Sequence, residues 1–170
     1  MEKEKYQRAE NHWKRHDIVA SRMPEGAVRK TADAFIATHA TCALATACSD
    51  RVRCTPLEYN WLDGRIYIFS EGGEKFHALS ENKNVCLAIF EPSSDFGDLS
   101  SIQITGTAEI LEIGCARYSK VLEYKGYSEN AIRKMPTPLY LIEITPLKME
   151  LLFSKFKDQG YDSRQRITWQ

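Results

Sequence analysis

Residues 51–83, RVRCTPLEYNWLDGRIYIFSEGGEKFHALSENK, decide the fold. Two runs rich in β-branched and aromatic residues, 51–61 and 65–69, flank Asp63-Gly64, a dipeptide that tolerates the positive φ angles of a tight turn. The glycines of the following SEGG stretch permit a sharp change of chain direction. From Glu74 onward, apolar residues at helical spacing predict a short helix. The segment is therefore predicted to form a β-hairpin, a glycine turn and a helix.

Lys75, in the first turn of the predicted helix, makes this segment a candidate phosphate site. The free N–H groups and the positive dipole end of a helix favour an anion, and a lysine adds a full charge beside them. Arg53, across the predicted hairpin, adds a possible bidentate donor. Taken singly, such features more often mark solvated surface charges and a simple glycine loop. The hypothesis therefore rests on their combination.

The rest of the chain supplies further strands and helices. Strands are predicted at 41–47, 85–90 and 101–113. Residues 139–153 are predicted to form either a final strand pair or one long strand bent at Pro146. Helices are predicted over 3–20, over 24–37 and from about 115 to 125, and a second short helix follows the third. The fold class is α+β, mainly β, with a mostly antiparallel six-stranded split β-barrel and flanking helices.

The length of 170 residues suits one domain with a sizeable core. Within it we expect a helical N-terminal lead-in at 1–38 packed on the barrel, the barrel itself at 39–153 and a C-terminal tail at 154–170. Lysine plus arginine and aspartate plus glutamate number 23 each, so the formal charge is zero and nucleic-acid binding is disfavoured. The charged N-terminus and the lack of a long apolar run predict a cytoplasmic protein without membrane contact.

The five cysteines are odd in number and scattered, and none forms a C-x-x-C pair, so neither a disulfide framework nor a metal site is predicted. Cys42, Cys48 and Cys86 lie in apolar strand-like runs and are interpreted as small core residues, whereas Cys54 lies in the candidate binding strand. The histidines form no pair at metal spacing and are interpreted as surface residues, with a haem ligand among them left open.

The order of elements and the residues of the hairpin resemble the FMN-binding split barrels related to pyridoxamine phosphate oxidase. The resemblance covers roughly residues 35–113. The family motif has a strand with an arginine, a leucine and a polar residue, then a turn glycine, a small polar residue, a glycine and a phosphate-binding lysine. The matching residues are Arg53, Leu57, Glu58, Gly64, Ser70, Gly72 and Lys75. A later strand signature of the family resembles residues 101–109, within SSIQITGTAE.

The resemblance implies an FMN at a homodimer interface, with its phosphate on Arg53 and Lys75. It places the flavin ring along the backbone of Cys54, Thr55 and Pro56. Other residues implied at the site are Glu58, Phe69, Ser70 and Ser101. The implied activity is that of an oxidoreductase acting on a small-molecule substrate or electron donor. No catalytic residue is assigned, because the redox chemistry belongs to the flavin.

Three departures from the family pattern concern the reaction more than the fold. Glu74 stands where the vitamin oxidases carry an arginine, Glu58 where they carry a lysine for the substrate phosphate, and Ser101 where they carry a flavin-contacting glutamine. The arginine-rich C-terminal signature of those oxidases is not recognisable in GYDSRQRITWQ. Pyridoxamine phosphate is therefore not the expected substrate.

Two alternatives remain open on the sequence. The first is a non-catalytic protein that stores or senses flavin or haem, since some split-barrel relatives handle haem. The second concerns the tail, whose aromatic and basic residues either fold over the flavin or the partner subunit, or only pack on the barrel surface.

Overall fold

The computed structural model describes residues 2–93 and 95–169. The α-helices of the described residues are α1 (Glu2–Val19), α2 (Glu25–Thr38), α3 (Glu74–Glu81), α4 (Ala116–Lys125) and α5 (Glu129–Arg133). The strands are β1 (Thr41–Cys48), β2 (Arg51–Glu58), β3 (Asn60–Leu62), β4 (Arg65–Ser70), β5 (Asn84–Phe90), β6 (Ser100–Leu111), β7 (Tyr140–Phe153) and β8 (Arg164–Thr168). Short 3-10 helices occupy Phe96–Asp98 and Ser154–Gln159. Among the described residues, no helix combines the length and apolar character needed to cross a bilayer.

The strands form one antiparallel sheet in the order β2-β1-β5-β6-β7-β4-β3, with β8 paired to β7. The predicted α+β, mainly β split barrel with flanking helices is confirmed. The predicted number of six strands is too low, because the residues that the structure describes form a sheet of eight. Strands β2 and β3 end the main strand order, so the sheet is split between them, and β8, which pairs only with β7 among the described strands, is a further edge.

The predicted hairpin is shorter than its sequence pattern indicates. The Asp63-Gly64 turn joins only β3 to β4, whereas β2 pairs with β1 from Thr41 opposite Glu58 to Cys48 opposite Arg51. The break falls at Tyr59, which is buried and whose hydroxyl donates a 2.7 Å hydrogen bond to the Ile36 carbonyl of α2. Because this anchor turns the chain, the run 51–61 is divided between opposite edges of the sheet.

The barrel interior contains the inward side chains of alternate strand residues. It includes the fully buried Leu44, Ile66, Ile68, Leu87, Ile102, Ile104 and Ile142 together with Ile36 of α2. A second cluster on the opposite sheet face lies under α4 and consists of Tyr67, Leu111, Tyr118, Val121, Leu122 and Leu141. The sheet is therefore covered on both faces around β4, β6 and β7, while α3 packs on β1.

The β6–β7 pairing is irregular at the predicted bend. The register shifts between Thr105 and Gly106, opposite Pro146. A Cβ atom at Gly106 would lie 2.4 Å from the Thr145 carbonyl oxygen, closer than real contacts allow. Proline lacks the N–H that a regular ladder requires, so a bulge is the natural place for it. Glycine at 106 is therefore required by the close approach of two backbones.

Candidate functional site

A glycine turn leads from the end of β4 into α3. Gly72 and Gly73 have φ angles of +127° and +96°, a range that favours glycine. The Gly72 N–H donates to the Ser70 hydroxyl oxygen at 3.2 Å, and Gly73 caps the helix without a side-chain acceptor. The chain thus presents the N-terminus of α3 to an incoming anion. We call Arg53, residues 70–73 and Lys75 the cradle.

Lys75 is held over this turn. Its Nζ atom donates to the Gly72 carbonyl oxygen at 2.5 Å and lies 5.6 Å from the Phe76 ring centroid. Burial, together with the nearby positive charge of Arg53, lowers the pKa of Lys75. A bound anion would relieve both penalties on the ammonium group. The electrostatics of Lys75 therefore fit an anion site.

Arg53 lies on β2 and reaches toward the first turn of α3. Its Nη1 atom donates to the Glu74 carboxylate, and the two side chains are 51% and 74% exposed. An ion pair so exposed contributes little free energy, because water and salt screen it. A phosphate could therefore replace Glu74 as the partner of Arg53 at small cost.

The other predicted residues of β2 are divided between its two faces. Thr55, two residues after Arg53, lies on the same side of the strand and is partly buried, whereas Cys54 and Pro56 point to the opposite side and are exposed. Glu58 is exposed at the end of the strand, about 16 Å from Arg53 by the strand rise. The structure therefore does not bring Glu58 into the cradle.

A shallow groove of about 460 Å³ lies on the sheet face that carries Cys54. Cys54 is opposite Ala45, which is opposite Cys86, while Ala88 is opposite Gln103. The full lining is Ala43, Ala45, Cys54, Cys86, Leu87, Ala88, Phe90, Ser101, Ile102 and Gln103. We call this the small-residue groove. It brings together two predicted residues, Cys54 and Ser101, that lie far apart in sequence.

Phe69 lies elsewhere. Successive strand residues alternate between faces, and Phe69 points away from the buried Ser70 to the face covered by α4. Its ring packs against Tyr118 at 5.9 Å and Tyr127 at 6.0 Å between centroids. The Phe69 side chain therefore lies on the opposite face from Ser70, and the implied place of Phe69 at the site stays a prediction.

The cysteines also need a correction. Cys42 is buried as predicted, and burial, with a smaller effect of Cys54, raises the pKa of its thiol to about 12. Cys48 and Cys86 are only partly buried. The core interpretation was wrong for these two because Cys86 faces the small-residue groove and Cys48 ends β1, where its thiol donates to Glu81 at 2.8 Å.

Sequence reasoning missed one charged cluster completely. Glu143 of β7 is 2% exposed, and its Oε1 atom accepts from Arg65 at 3.0 Å and from Arg117 at 2.7 Å. Arg117 also binds Glu109, and these hydrogen bonds, the one to Glu109 foremost, raise the pKa of Arg117. We call these four residues the ion-pair cluster. No local sequence pattern predicts the ion-pair cluster, because β4, β6, β7 and α4 each contribute one residue to it.

Residues 28–153 match the sequence profile of the family described as pyridoxamine 5'-phosphate oxidase. The chain belongs to this family. The match covers the barrel from α2 to the end of β7, and so includes both the cradle and the small-residue groove. No curated protein sequence matches the chain.

Solved structures share the fold at low sequence identity. An FAD-binding protein from Mesorhizobium loti has a TM-score of 0.59 at 18% identity, over 71% of this chain and 89% of that one. Campylobacter jejuni ChuZ has a TM-score of 0.64 at 20% identity, over 86% and 61% of the two chains. HutZ, the haem storage protein from Vibrio cholerae, has a TM-score of 0.56 at 13% identity, over 69% and 88%. At such identities the likeness is one of fold.

Proposed function

We propose that this protein binds FMN, with the phosphate in the cradle and the ring along β2, and acts as an oxidoreductase. The observation that carries the proposal is the convergence of Arg53 and Lys75 on a glycine turn at a helix N-terminus. A dianionic phosphate needs two cations and several N–H donors, and this place offers both. Membership of the oxidase family supports a flavin as the ligand.

Both cations have weak partners that a phosphate can replace. Lys75 donates to a single backbone carbonyl, and Arg53 pairs with the exposed Glu74. Glu74 occupies the position where the resembling vitamin oxidases carry an arginine. A carboxylate there repels a phosphate, so we infer that Glu74 weakens FMN binding rather than preventing it.

The flavin ring would lie along the outer side of β2. As an edge strand, β2 presents backbone groups with which none of the described strands pairs. Backbone groups of successive residues point alternately to the two sides of a strand, and Pro56, which has no N–H, takes a position that faces away from β1. Cys54 can therefore offer an N–H and a carbonyl to the polar edge of the ring and Pro56 only its carbonyl, whereas Thr55, whose backbone groups face β1, can offer its side chain. Bound flavin supplies hydride or electron transfer, and the protein positions the ring and excludes water from it.

The small-residue groove would face the second subunit of a homodimer. Its alanine and cysteine side chains allow another surface to approach closely, and Val52 and Phe90 nearby are 74% and 57% exposed. Exposed apolar patches of this kind are typical of interaction sites. In this arrangement Ser101 lies at the interface, and the partner completes the pocket for a small-molecule substrate or electron donor other than pyridoxamine phosphate.

The second candidate is a non-catalytic protein that binds or stores flavin or haem. It is favoured by the fold shared with the haem storage protein from Vibrio cholerae. His77 lies on α3 two residues after Lys75, and its side chain is 68% exposed. The two candidates differ in what the purified protein carries and in whether that ligand turns over.

The first test is the visible spectrum of protein purified without added cofactor, with mass spectrometry of the released ligand. We expect FMN. The Lys75→Ala variant should bind FMN about 10 to 100 times more weakly, because a charge-assisted hydrogen bond is lost. Lys83→Ala is the matched control, since Lys83 is exposed just after α3. A haem spectrum, or a protein that takes up no FMN, would overturn the proposal.

The second test concerns catalysis. Under anaerobic conditions, NADH or NADPH is added to the FMN-loaded protein and the flavin absorbance is followed. Bleaching with saturation kinetics supports an oxidoreductase. Flavin that stays oxidised with both donors supports storage or sensing instead.

A further inference from the structure

Three potential metal ligands meet at the end of α3 that lies away from the cradle. The Cys48 Sγ atom is 2.8 Å from Glu81 Oε2, and His77 Nε2 is 3.8 Å from Glu81 Oε1. The ligand atoms of the three residues all lie within 4.8 Å of one another. Among the described residues, this is the one grouping of three such side chains that the structure contains.

Local structure explains why these side chains converge. His77 and Glu81 are four residues apart on α3 and therefore share a face. Cys48 is the last residue of β1, against which α3 packs through the buried Ala78 and Leu79. The Asn82 amide also donates to the Ala47 carbonyl at 3.1 Å, which ties the end of the helix to the strand that carries Cys48.

We propose that Cys48, His77 and Glu81 bind a zinc ion, with water as the fourth ligand. A thiolate, an imidazole and a carboxylate together suit Zn²⁺ among the common divalent metals. In a tetrahedral zinc site neighbouring ligand atoms are roughly 3.3 to 3.8 Å apart. The His77 to Glu81 distance must shorten by about 0.4 Å, and the Cys48 to Glu81 distance must open by less than about 1 Å. The two distances end on different oxygens of Glu81, so a small rotation of the carboxylate must bring one oxygen to the ion.

The surroundings favour entry of an ion. The side chains of His77 and Glu81 are 68% and 53% exposed, so the carboxylate can rotate and a fourth position faces solvent. The Cys48 thiol now donates its hydrogen to Glu81. On metal binding that proton passes to the solvent and the thiolate coordinates the ion.

The first measurement is titration of the full-length, EDTA-treated protein with Co²⁺, a spectroscopic substitute for Zn²⁺. We expect one equivalent of Co²⁺ to bind and to give an intense thiolate-to-metal charge-transfer band. Added Zn²⁺ should displace the Co²⁺ and remove the band. The variants Cys48→Ser, His77→Asn and Glu81→Gln should each bind Co²⁺ at least about tenfold more weakly, since loss even of a supporting group around a metal costs that much. The charge-transfer band should vanish in Cys48→Ser.

Matched controls are Cys115→Ser, His12→Asn and Glu123→Gln, which change the same residue types elsewhere and should bind Co²⁺ like the parent protein. All six positions have at least partial solvent exposure, so each variant can be verified as folded by circular dichroism. The proposal is overturned if the parent protein takes up no stoichiometric Co²⁺, or if the three ligand variants bind it as the controls do. Because Arg53 and Lys75 are not involved, either outcome leaves the flavin proposal untouched.

Discussion

Two arginine–glutamate arrangements in this molecule use the same chemical groups in opposite ways. In the cradle, Arg53 meets Glu74 with both side chains at least half exposed. In the ion-pair cluster, Glu143 is 2% exposed and binds both Arg65 and Arg117. The first pair can exchange its partner for a ligand. The second holds β4, β7 and α4 together and has no comparable freedom.

The difference lies in desolvation. An exposed ion pair is screened by water and contributes roughly 0 to 1 kcal/mol. A buried carboxylate has already lost its hydration, so removal of one partner leaves the remaining charges poorly compensated. The burial of an arginine–glutamate pair in this fold therefore indicates its role. An exposed pair is a replaceable contact, and a buried pair is a structural one.

The largest effect expected from this comparison is on the stability of the fold. Glu143→Ala should lower the free energy of unfolding by about 3 kcal/mol, because the charge-assisted hydrogen bonds that Arg65 and Arg117 donate to Glu143 are lost. Urea denaturation measures this directly. Glu109→Ala is the control, since Glu109 binds the same Arg117 but is 58% exposed, and it should cost less than about 1 kcal/mol. Equal losses from the two variants would contradict the distinction.

The second effect is the pH dependence of FMN binding. Lys75 binds phosphate only while protonated, and burial and Arg53 lower its pKa. As pH rises, Lys75 therefore loses its charge before an ordinary lysine would, and FMN affinity should fall by about tenfold. Fluorescence titration of FMN across the alkaline range measures this. Lys75→Arg should abolish the early decline; a decline of the same shape in that variant would assign it to another group.

A smaller effect on FMN affinity is expected from a change at Glu74. Glu74→Gln removes the carboxylate that competes with phosphate for Arg53, so FMN should bind about threefold more tightly. The free energy of unfolding should change by no more than about 0.5 kcal/mol, because the pair is exposed. Glu123→Gln, which removes an exposed carboxylate from α4, away from the cradle, is the control. Weaker FMN binding in Glu74→Gln would show that Glu74 supports the site.

The smallest expected effect is that of salt, which should weaken FMN binding at the cradle more than it weakens the ion-pair cluster. Raising the ionic strength from about 0.1 M to 1 M shortens the screening length from about 10 Å to 3 Å. FMN affinity should then fall a few-fold, whereas the difference in unfolding free energy between the parent protein and Glu143→Ala should hardly move. A salt-insensitive FMN affinity would argue that contacts to the flavin ring, rather than to the phosphate, dominate binding.

The local parts of the candidate site were predictable from sequence. The SEGG stretch and the apolar spacing after it indicate a glycine turn and a helix, and α3 begins at Glu74 with Lys75 in its first turn. The alternation of apolar residues likewise indicates a mainly β fold. These signals are local because backbone conformation and side-chain periodicity depend on neighbouring residues. Arg53 and Lys75 could thus be named, while their roles in flavin binding stay predictions.

Only the tertiary structure decided which elements meet. Strand β2 pairs with β1 rather than β4, because Tyr59 is anchored to α2 and separates β2 from β3. The stretch at 164–168, part of the predicted tail, becomes β8 because β7 offers it a partner. The two ends of α3 acquire different neighbours, Arg53 beside Glu74 and Cys48 beside Glu81. Strand pairing and burial depend on residues far apart in the chain, so the residue types and local conformation were set by the sequence, and their partners by the packing of the barrel.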